Sequence, residues 1–337
     1  MDVREDLMRR CFDLAQSALG FVRPNPLVGA LLVQNGKVVA EGFHQAFGGD
    51  HAEVNALNIL PENIAPSDCT MYVNLEPCSH FGKTPPCADI IIAKGIKQVV
   101  ISNIDPDPRV SGRGIERLKA NGIQVISGVL ENEGAELNRR FFCHQIKKRP
   151  YIILKWAQSA DGFMDIIRQL DQKGSFQISQ QETKKLVHLW RSQEQAILIG
   201  SNTLRTDNPQ LNLREVHGIQ PIRLVISRSE FQGSDAGMFN AENPARWLQI
   251  DSDRESCNGL LKTLEQLGAE GIQSILVEGG LKTHQSFLDS GLWDEIRIIR
   301  SETMIGKGIP APALPQNLPI TSSHRYGKDR IDSCRNL

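Results

Sequence analysis

Three short segments carry residue types that together bind a metal and move protons: His51-Ala52-Glu53, Glu76-Pro77-Cys78 and, after Pro85-Pro86, Cys87. One imidazole and two thiolates are ligands of the kind zinc prefers, and three of them leave the fourth tetrahedral position open. A structural zinc site is ordinarily closed by four protein ligands, so this set points to catalysis. Glu53 follows His51 by two residues. It is near the metal without having to ligate it, as a general acid/base must be. Zinc would bring the pKa of a water towards neutrality, and Glu53 would pass the proton to departing ammonia. That is the chemistry of hydrolytic deamination at an amidine-like ring carbon. Cys11, Cys69, Cys143, Cys257 and Cys334 stand in no such context and read as structural or incidental thiols.

Such residues need elements to hold them. His51 and Cys87 fall at expected helix starts, over residues 52–60 and 86–94, where the helix dipole favours a thiolate. Cys78 follows an expected strand over 70–75. Leu7, Cys11, Leu14, Ala15 and Ala18 predict an amphipathic helix over 7–19. Asn35-Gly36 between apolar runs predicts a hairpin over 29–43. A strand over 98–101, a helix over 114–120 and a strand over 123–126 continue the alternation. The pattern predicts an α/β layer with parallel pairs beyond the hairpin. The basic segment Gln145-Ile-Lys-Lys-Arg-Pro150 reads as a boundary, giving domains 1–147 and 148–337. After it, strands are expected over 151–156, 196–199, 222–226, 274–277 and 295–299. Helices are expected over 179–189, 260–267 and 281–289, the first opened by a Ser179–Glu182 capping box.

Composition narrows the function classes. At 337 residues the chain exceeds the usual size of one hydrophobic core. Lys plus Arg (38) nearly cancel Asp plus Glu (39), which gives no general attraction to nucleic acid or an anionic membrane. No apolar run is long enough to span a bilayer. The charged opening, with Arg4, Glu5, Asp6, Arg9 and Arg10, argues against a secretory signal. Seven cysteines, an odd number over a long chain, predict reduced thiols and a cytoplasmic protein.

The second half lacks a Gly-x-Gly-x-x-Gly fingerprint after a strand. It has Glu278-Gly279-Gly280 at a strand-to-helix turn, where backbone amides and a helix N-terminus favour a phosphate.

Eight residues separate Cys78 from Cys87, and the loop between them contains His80, Gly82, Lys83, Thr84, Pro85 and Pro86. With Pro24-Asn25-Pro26-Leu27-Val28-Gly29, Gly42-Phe43-His44, Asp105-Pro106-Asp107-Pro108 and Gly112-Arg113-Gly114, the first half resembles the bacterial bifunctional riboflavin-biosynthesis deaminase/reductases. In the second half, residues 154–162, 196–203, 207–214, 221–226 and 276–280 resemble the same family's reductase domain, which is similar to dihydrofolate reductase. This resemblance runs to about residue 310. It implies a cytidine-deaminase-like α/β/α domain followed by a dihydrofolate-reductase-like α/β domain.

The implied reactions are deamination of 2,5-diamino-6-(5-phosphoribosylamino)pyrimidin-4-one and then NADPH-dependent reduction of the ribosyl group. One Zn2+ per chain would be held by His51, Cys78 and Cys87, with Glu53 as proton carrier. Asn25, His44, His80, Lys83, Asp105 and Asp107 would meet the deaminase substrate. Ser175, Arg191, Leu211, Arg214 and Glu278 would meet the reductase substrate. Gln158, Gln177, Thr203, Asp207, Gly279, Gly280, Leu281, Lys282 and Thr283 would hold NADPH, and Asp207 would also act on the ribosyl group. The family resemblance further implies a dimer or tetramer acting on a small molecule, not on nucleic acid or at a membrane. Three positions depart from the family's pattern: Gln177 in place of an aromatic, Asn208 in place of an Asp, and Ser227-Arg228, where the usual Ser is shifted by one. Two other readings stay open. One is a zinc deaminase of another base with a different or inactive second domain, and the other is a module that zinc merely staples.

Overall fold

The structure is a computed structural model that describes residues 3–79, 85–107, 111–169, 173–230, 238–239, 244–250 and 256–336. The chain divides into two compact units, Met1–Lys147 and Lys148–Leu337.

The first unit runs α1 (Val3–Gln16), β1 (Gly29–Gln34), β2 (Lys37–Phe43), α2 (Ala52–Asn58), β3 (Thr70–Leu75), α3 (Cys87–Ala93), β4 (Gln98–Asn103), α4 (Arg113–Ala120), β5 (Gln124–Ile126), α5 (Glu131–Leu137) and α6 (Arg139–Lys147). Its five strands form one sheet in the order β2-β1-β3-β4-β5, with β3, β4 and β5 parallel. Asn35 and Gly36 both have positive φ, 52° and 74°, as a two-residue hairpin turn of the β1–β2 kind demands. Successive strand residues face opposite layers. Leu31, Tyr72 and Val100 pack on Met8, Cys11 and Phe12 of α1. Ala30, Leu32, Met71, Val73, Val99 and Ile101 pack on residues of α2, α3 and α4. The sheet is covered on both faces, which is why its inner strands read as near-continuous apolar runs.

The second unit runs β6 (Tyr151–Gln158), β7 (Phe163–Ile166), α7 (Gln181–Gln193), β8 (Ala196–Gly200), α8 (Ser201–Asp207), β9 (Ile222–Ser227), β10 (Arg246–Gln249), α9 (Ser256–Ala269), β11 (Ser274–Val277), α10 (Leu281–Ser290), β12 (Glu295–Arg300), β13 (Gly308–Pro310), β14 (Ile320–Tyr326) and β15 (Asp329–Arg335). Eight strands form a sheet in the order β10-β9-β8-β11-β6-β12-β15-β14, and β7 pairs with β13 apart from it. The pairs from β10 through β12 are parallel, and β15 and β14 add an antiparallel edge.

The structure departs from the sequence reading in three places. First, α7 is not opened by a Ser179–Glu182 box: its N-cap is Gln180, with no side-chain cap. Asp329 at the start of β15 does that work, its Oδ2 accepting the Gln180 N–H at 2.9 Å and the Thr183 hydroxyl at 2.6 Å. A buried carboxylate is a stronger acceptor than a serine hydroxyl one residue out of place. Second, an unread helix, α6, runs through Gln145, Ile146 and Lys147, and the turn comes at Lys148, whose φ is 56° and where the two units divide. Basic side chains suit a helix C-terminus, so the boundary segment opens with the last turn of a helix. Third, β14 and β15 follow the point where the sequence signal fades. β15 hides its strand character because two of its buried residues, Asp329 and Asp332, are polar.

Candidate active sites

In the first unit the His51 imidazole and the two thiols converge, their ligand atoms all within 4.8 Å of one another. His51 is the N-cap of α2 and Cys87 the first residue of α3, so two helix starts face the end of β3. His51 Nδ1 lies 3.2 Å from Cys87 Sγ and 3.7 Å from Cys78 Sγ. Tetrahedral zinc with ordinary Zn–N and Zn–S bonds sets that separation at about 3.6 Å, so the donor set fits the ion. The Cys87 amide donates to Cys78 Sγ at 3.2 Å, as a preformed thiolate site requires. A hydrogen bond from the Cys87 thiol holds Cys78 down, at about 4, while the same contact raises Cys87. Hydrogen bonding to Cys78 raises His51 to about 9. Glu53 is buried in the first turn of α2, and burial pushes its carboxyl above the usual range.

His44 packs edge-on against His51, with ring centroids 5.7 Å apart. Its Nδ1 donates to the Asp50 carbonyl at 2.9 Å, which leaves Nε2 to accept from the Asn25 amide at 3.0 Å. Burial lowers the His44 pKa, consistent with that neutral tautomer. His80 and Lys83 lie outside the described residues. Asp105 and Asp107 are buried, and Asp105 Oδ1 accepts the Asp107 N–H at 2.8 Å, a turn-forming contact.

One residue of the site was quoted in the sequence without a role. Glu76, buried beside Pro77 and Cys78, accepts four backbone N–H groups: Asp105 (3.2 Å) and Gly112 (2.9 Å) at Oε2, Gly114 (2.9 Å) and Ile115 (3.1 Å) at Oε1. It caps α4 and ties Asp105 and Gly112 to the strand end that carries Cys78. A lone Glu before a Pro gives no sign of this, because its partners are amides 29 to 39 residues away. Asn74 and Asn138 were also missed. Each grips Leu27 or Gly29 backbone groups at 2.7–2.9 Å and so fixes the segment just after Asn25.

In the second unit the C-terminal ends of β6, β8, β9 and β11 open into a cavity of about 1120 Å³. Gly280, Leu281, Lys282 and Thr283 line it at the start of α10, and Thr203 and Asp207 line it from α8. The Gly280 N–H bonds Thr203 Oγ1 at 2.9 Å. Ser175, Gln177 and Arg214 also line it. Gln158, Leu211 and Gly279 do not. Gln158 accepts the Trp156 indole N–H at 3.0 Å, and Leu211 is buried among Ile197, Ile199 and Val225. At Gly279 a Cβ would come within 2.5 Å of the Gly200 nitrogen and Ile199 Cα, so this glycine serves close packing of the turn on β8.

Glu278 and Arg191 form a two-pronged ion pair at 2.6 and 2.9 Å, and Lys155 Nζ stands 3.7 Å from the same carboxylate. Burial alone would raise Glu278, but Arg191 and Lys155 hold it at about 2. Lys155 was not singled out in the sequence; burial lowers its pKa. Asp207 Oδ1 is buried with no hydrogen-bond partner among the described residues. Burial and the nearby Asp165 carboxylate push Asp207 up to about 6. Arg168, on the same wall, is engaged by Asp165 at 2.5 and 2.8 Å.

Known proteins are similar to this chain in sequence and fold. Residues 1–103 match the family described as the cytidine and deoxycytidylate deaminase zinc-binding region, and residues 150–331 match the RibD C-terminal domain. The second match corrects the expected fading at about 310, since it takes in β14 and the start of β15. The riboflavin biosynthesis protein RibD of Aquifex aeolicus is 36% identical over 324 residues, covering 91% of this chain and 89% of its own length. That of Escherichia coli K12 is 35% identical over 331 residues, covering 90% and 88%. The crystal structure of a diaminohydroxyphosphoribosylaminopyrimidine deaminase/5-amino-6-(5-phosphoribosylamino)uracil reductase from Thermotoga maritima aligns with a TM-score of 0.88 at 35% identity, over 99% of each chain. The chain belongs to the RibD family of riboflavin biosynthesis proteins, bifunctional enzymes that join a zinc deaminase to an NADPH-dependent reductase.

Proposed function

We propose that the first unit deaminates 2,5-diamino-6-(5-phosphoribosylamino)pyrimidin-4-one and that the second reduces the ribosyl group of the product to a ribitylamino group. The observation that carries the first step is the convergence of His51, Cys78 and Cys87 beside a buried Glu53. Those three side chains would hold zinc, which when bound supplies Lewis-acid activation of water. Glu53 carries a proton on its carboxylate from water to the departing amino nitrogen. Burial, by raising its pKa, helps it hold that proton. The neutral His44 and Asn25, bonded to each other, orient the pyrimidine and its sugar. His80, Lys83, Asp105 and Asp107 are assigned to ribose and phosphate on the family resemblance.

In the second unit NADPH when bound supplies the hydride. Gly280, Leu281, Lys282 and Thr283 hold its diphosphate at the start of α10, and Thr203 fixes the turn from below. Ionised Glu278, set between Arg191 and Lys155, positions the substrate. Asp207, at about 6, keeps a share of its protons near neutrality and holds one beside the ribosyl group. Ser175 and Arg214 meet substrate hydroxyls and phosphate, and Gln177 stands at the cofactor's side of the same cavity. Gln158, Leu211 and Gly279 keep their assigned places on resemblance only. We place the working enzyme in the cytoplasm as a homo-oligomer, on the same resemblance and on the free thiols of Cys11, Cys69, Cys78, Cys87, Cys143 and Cys334.

The test is a coupled assay on zinc-replete protein with the diaminopyrimidinone ribosyl phosphate, following ammonia release and NADPH oxidation separately. Glu53→Gln is expected to abolish ammonia release while leaving NADPH oxidation intact when the deaminated compound is supplied. Ammonia release that survives this substitution would sink the role of Glu53. Absence of both signals in the unsubstituted chain would sink the substrate.

A further inference from the structure

His51 starts α2, and Asn55 stands one turn further along it. The Asn55 side-chain amide donates twice, to the Phe43 carbonyl at 2.8 Å and to the Asp50 carbonyl at 3.3 Å. Carbonyls only accept, so the nitrogen of this carboxamide and not its oxygen must face them. Phe43 precedes His44, and Asp50 precedes His51. One side chain therefore pins the backbone just ahead of both histidines of the site. The reach is short because β2 meets α2 at Gly42, where a Cβ would stand 2.3 Å from the Ala56 nitrogen and 2.5 Å from the Ala52 carbonyl oxygen.

The Asp50 carbonyl is shared. It accepts the His44 Nδ1–H at 2.9 Å as well as the Asn55 amide, and its two lone pairs suffice for both donors. The His44 ring is thus hung on an acceptor that Asn55 fixes. On the ring's other side Nε2 accepts from the Asn25 amide at 3.0 Å. Asn25 is anchored in turn, its backbone N–H donating to the Val22 carbonyl at 2.9 Å. The Asn25 oxygen and second amide N–H are then left for a ligand. If the Asp50 carbonyl swings away, Nδ1 loses its acceptor. The other tautomer would set a ring Nε2–H against the Asn25 N–H, donor against donor.

We propose that Asn55 is a positioning residue for the deamination: through the Asp50 carbonyl it holds His44 in the Nδ1–H tautomer, so that Asn25 offers its amide to the pyrimidine and its sugar in one orientation. This rests on the reading that Asn25 and His44 meet the deaminase substrate. Asn55 acts through them and touches neither substrate nor metal. The Asn55 backbone N–H bonds the His51 carbonyl at 3.0 Å whatever side chain stands there, so the metal ligand keeps its place when the carboxamide is removed.

The experiment compares the zinc-replete full chain with Asn55→Ala, Asn55→Gln and His44→Ala. Ammonia-release kinetics, zinc content and proton–nitrogen correlation spectra of the histidine rings are measured for each. The His44 signals are those missing from His44→Ala. Asn55→Ala is expected to raise KM roughly threefold to tenfold, with kcat and zinc content unchanged. Its His44 signals should move from the pure Nδ1–H pattern to a mixture of tautomers. Asn55→Gln, which keeps the donor on a longer stem, should recover part of both effects. His44 signals that keep the Nδ1–H pattern in Asn55→Ala would overturn the proposal alone. Loss of zinc from Asn55→Ala would also overturn it, because the carboxamide would then be supporting the metal ligand. A His44→Ala that keeps the parent's KM would overturn the reading that His44 meets the substrate, and this proposal with it.

Discussion

His284 sits on α10 fully buried, and neither ring nitrogen meets a hydrogen-bond partner among the described residues. Its ring packs at 5.4 Å from that of Trp156. Burial first, and then the Lys155 charge, lower its pKa to about 3, although Glu278 pulls the other way. A histidine depressed in the folded state stabilises fully above its unfolded pKa and loses that contribution as pH falls towards the folded value. For His284 that window runs from about 6.5 down to about 3. At pH 5.5 the loss is about 1.4 kcal/mol. His284→Leu removes both the titration and the unpaired nitrogens. It should raise the second unit's melting temperature more at pH 5.5 than at pH 8, by an extra ~2–4 °C. Equal shifts at the two pH values would mean that the ring is not held neutral. At this scale the convergence of His51, Cys78 and Cys87 was legible because metal chemistry restricts the residue types and the segments are short. Lys155 and His284 were not. Their significance lies in what surrounds them after folding, and neither carries a local signal.

The elements that position the metal ligands depend on Glu76 and Gly114. A Cβ at Gly114 would stand 2.1 Å from the Pro77 carbonyl and 3.1 Å from Glu76 Oε1. Gly114→Ala must therefore push α4 off the strand end that carries Cys78. The expected result is a fall in bound zinc, measured by metal analysis, with ammonia release lost in proportion and NADPH oxidation untouched. Glu76→Gln keeps the shape but turns one acceptor oxygen into a donor facing amides. It should cost about 2 kcal/mol in the first unit's unfolding, read by denaturant titration. Zinc content unchanged in both variants would mean that the loop and strand end are not coupled. The elements themselves were readable wherever periodicity was apolar, as in β1, β3, β4 and α4. They were unreadable where buried polar groups replace apolar ones. Asp329 takes over the cap of α7 from another element, and Asp332, bonded to Arg300 at 2.6 Å, breaks the strand pattern of β15. A capping box is a local rule, and here a distant carboxylate overrides it.

At the scale of the molecule, the two units carry separate cores. Ala30, Met71, Val73 and Ile101 belong to one, and Leu154, Leu198, Val277 and Phe287 to another. The metal trio adds little to the first of these, because that sheet is already closed on both faces by apolar helices. A site of three protein ligands on such a scaffold differs from a four-ligand staple, whose removal unfolds the domain. Prolonged dialysis against a zinc chelator should therefore abolish ammonia release and leave NADPH oxidation of the deaminated compound at its original rate. The first unit's melting transition should move down by no more than the binding energy that zinc lends the folded state, and it should stay cooperative. The second unit's transition should not move. Restoring zinc should restore ammonia release without a refolding step. If chelation instead melts the first unit, its core depends on the metal and zinc there is a staple as well as a catalyst. If chelation also stops NADPH oxidation, the reductase depends on the metal-bound state of its neighbour, and the units' separate cores do not make their activities separable.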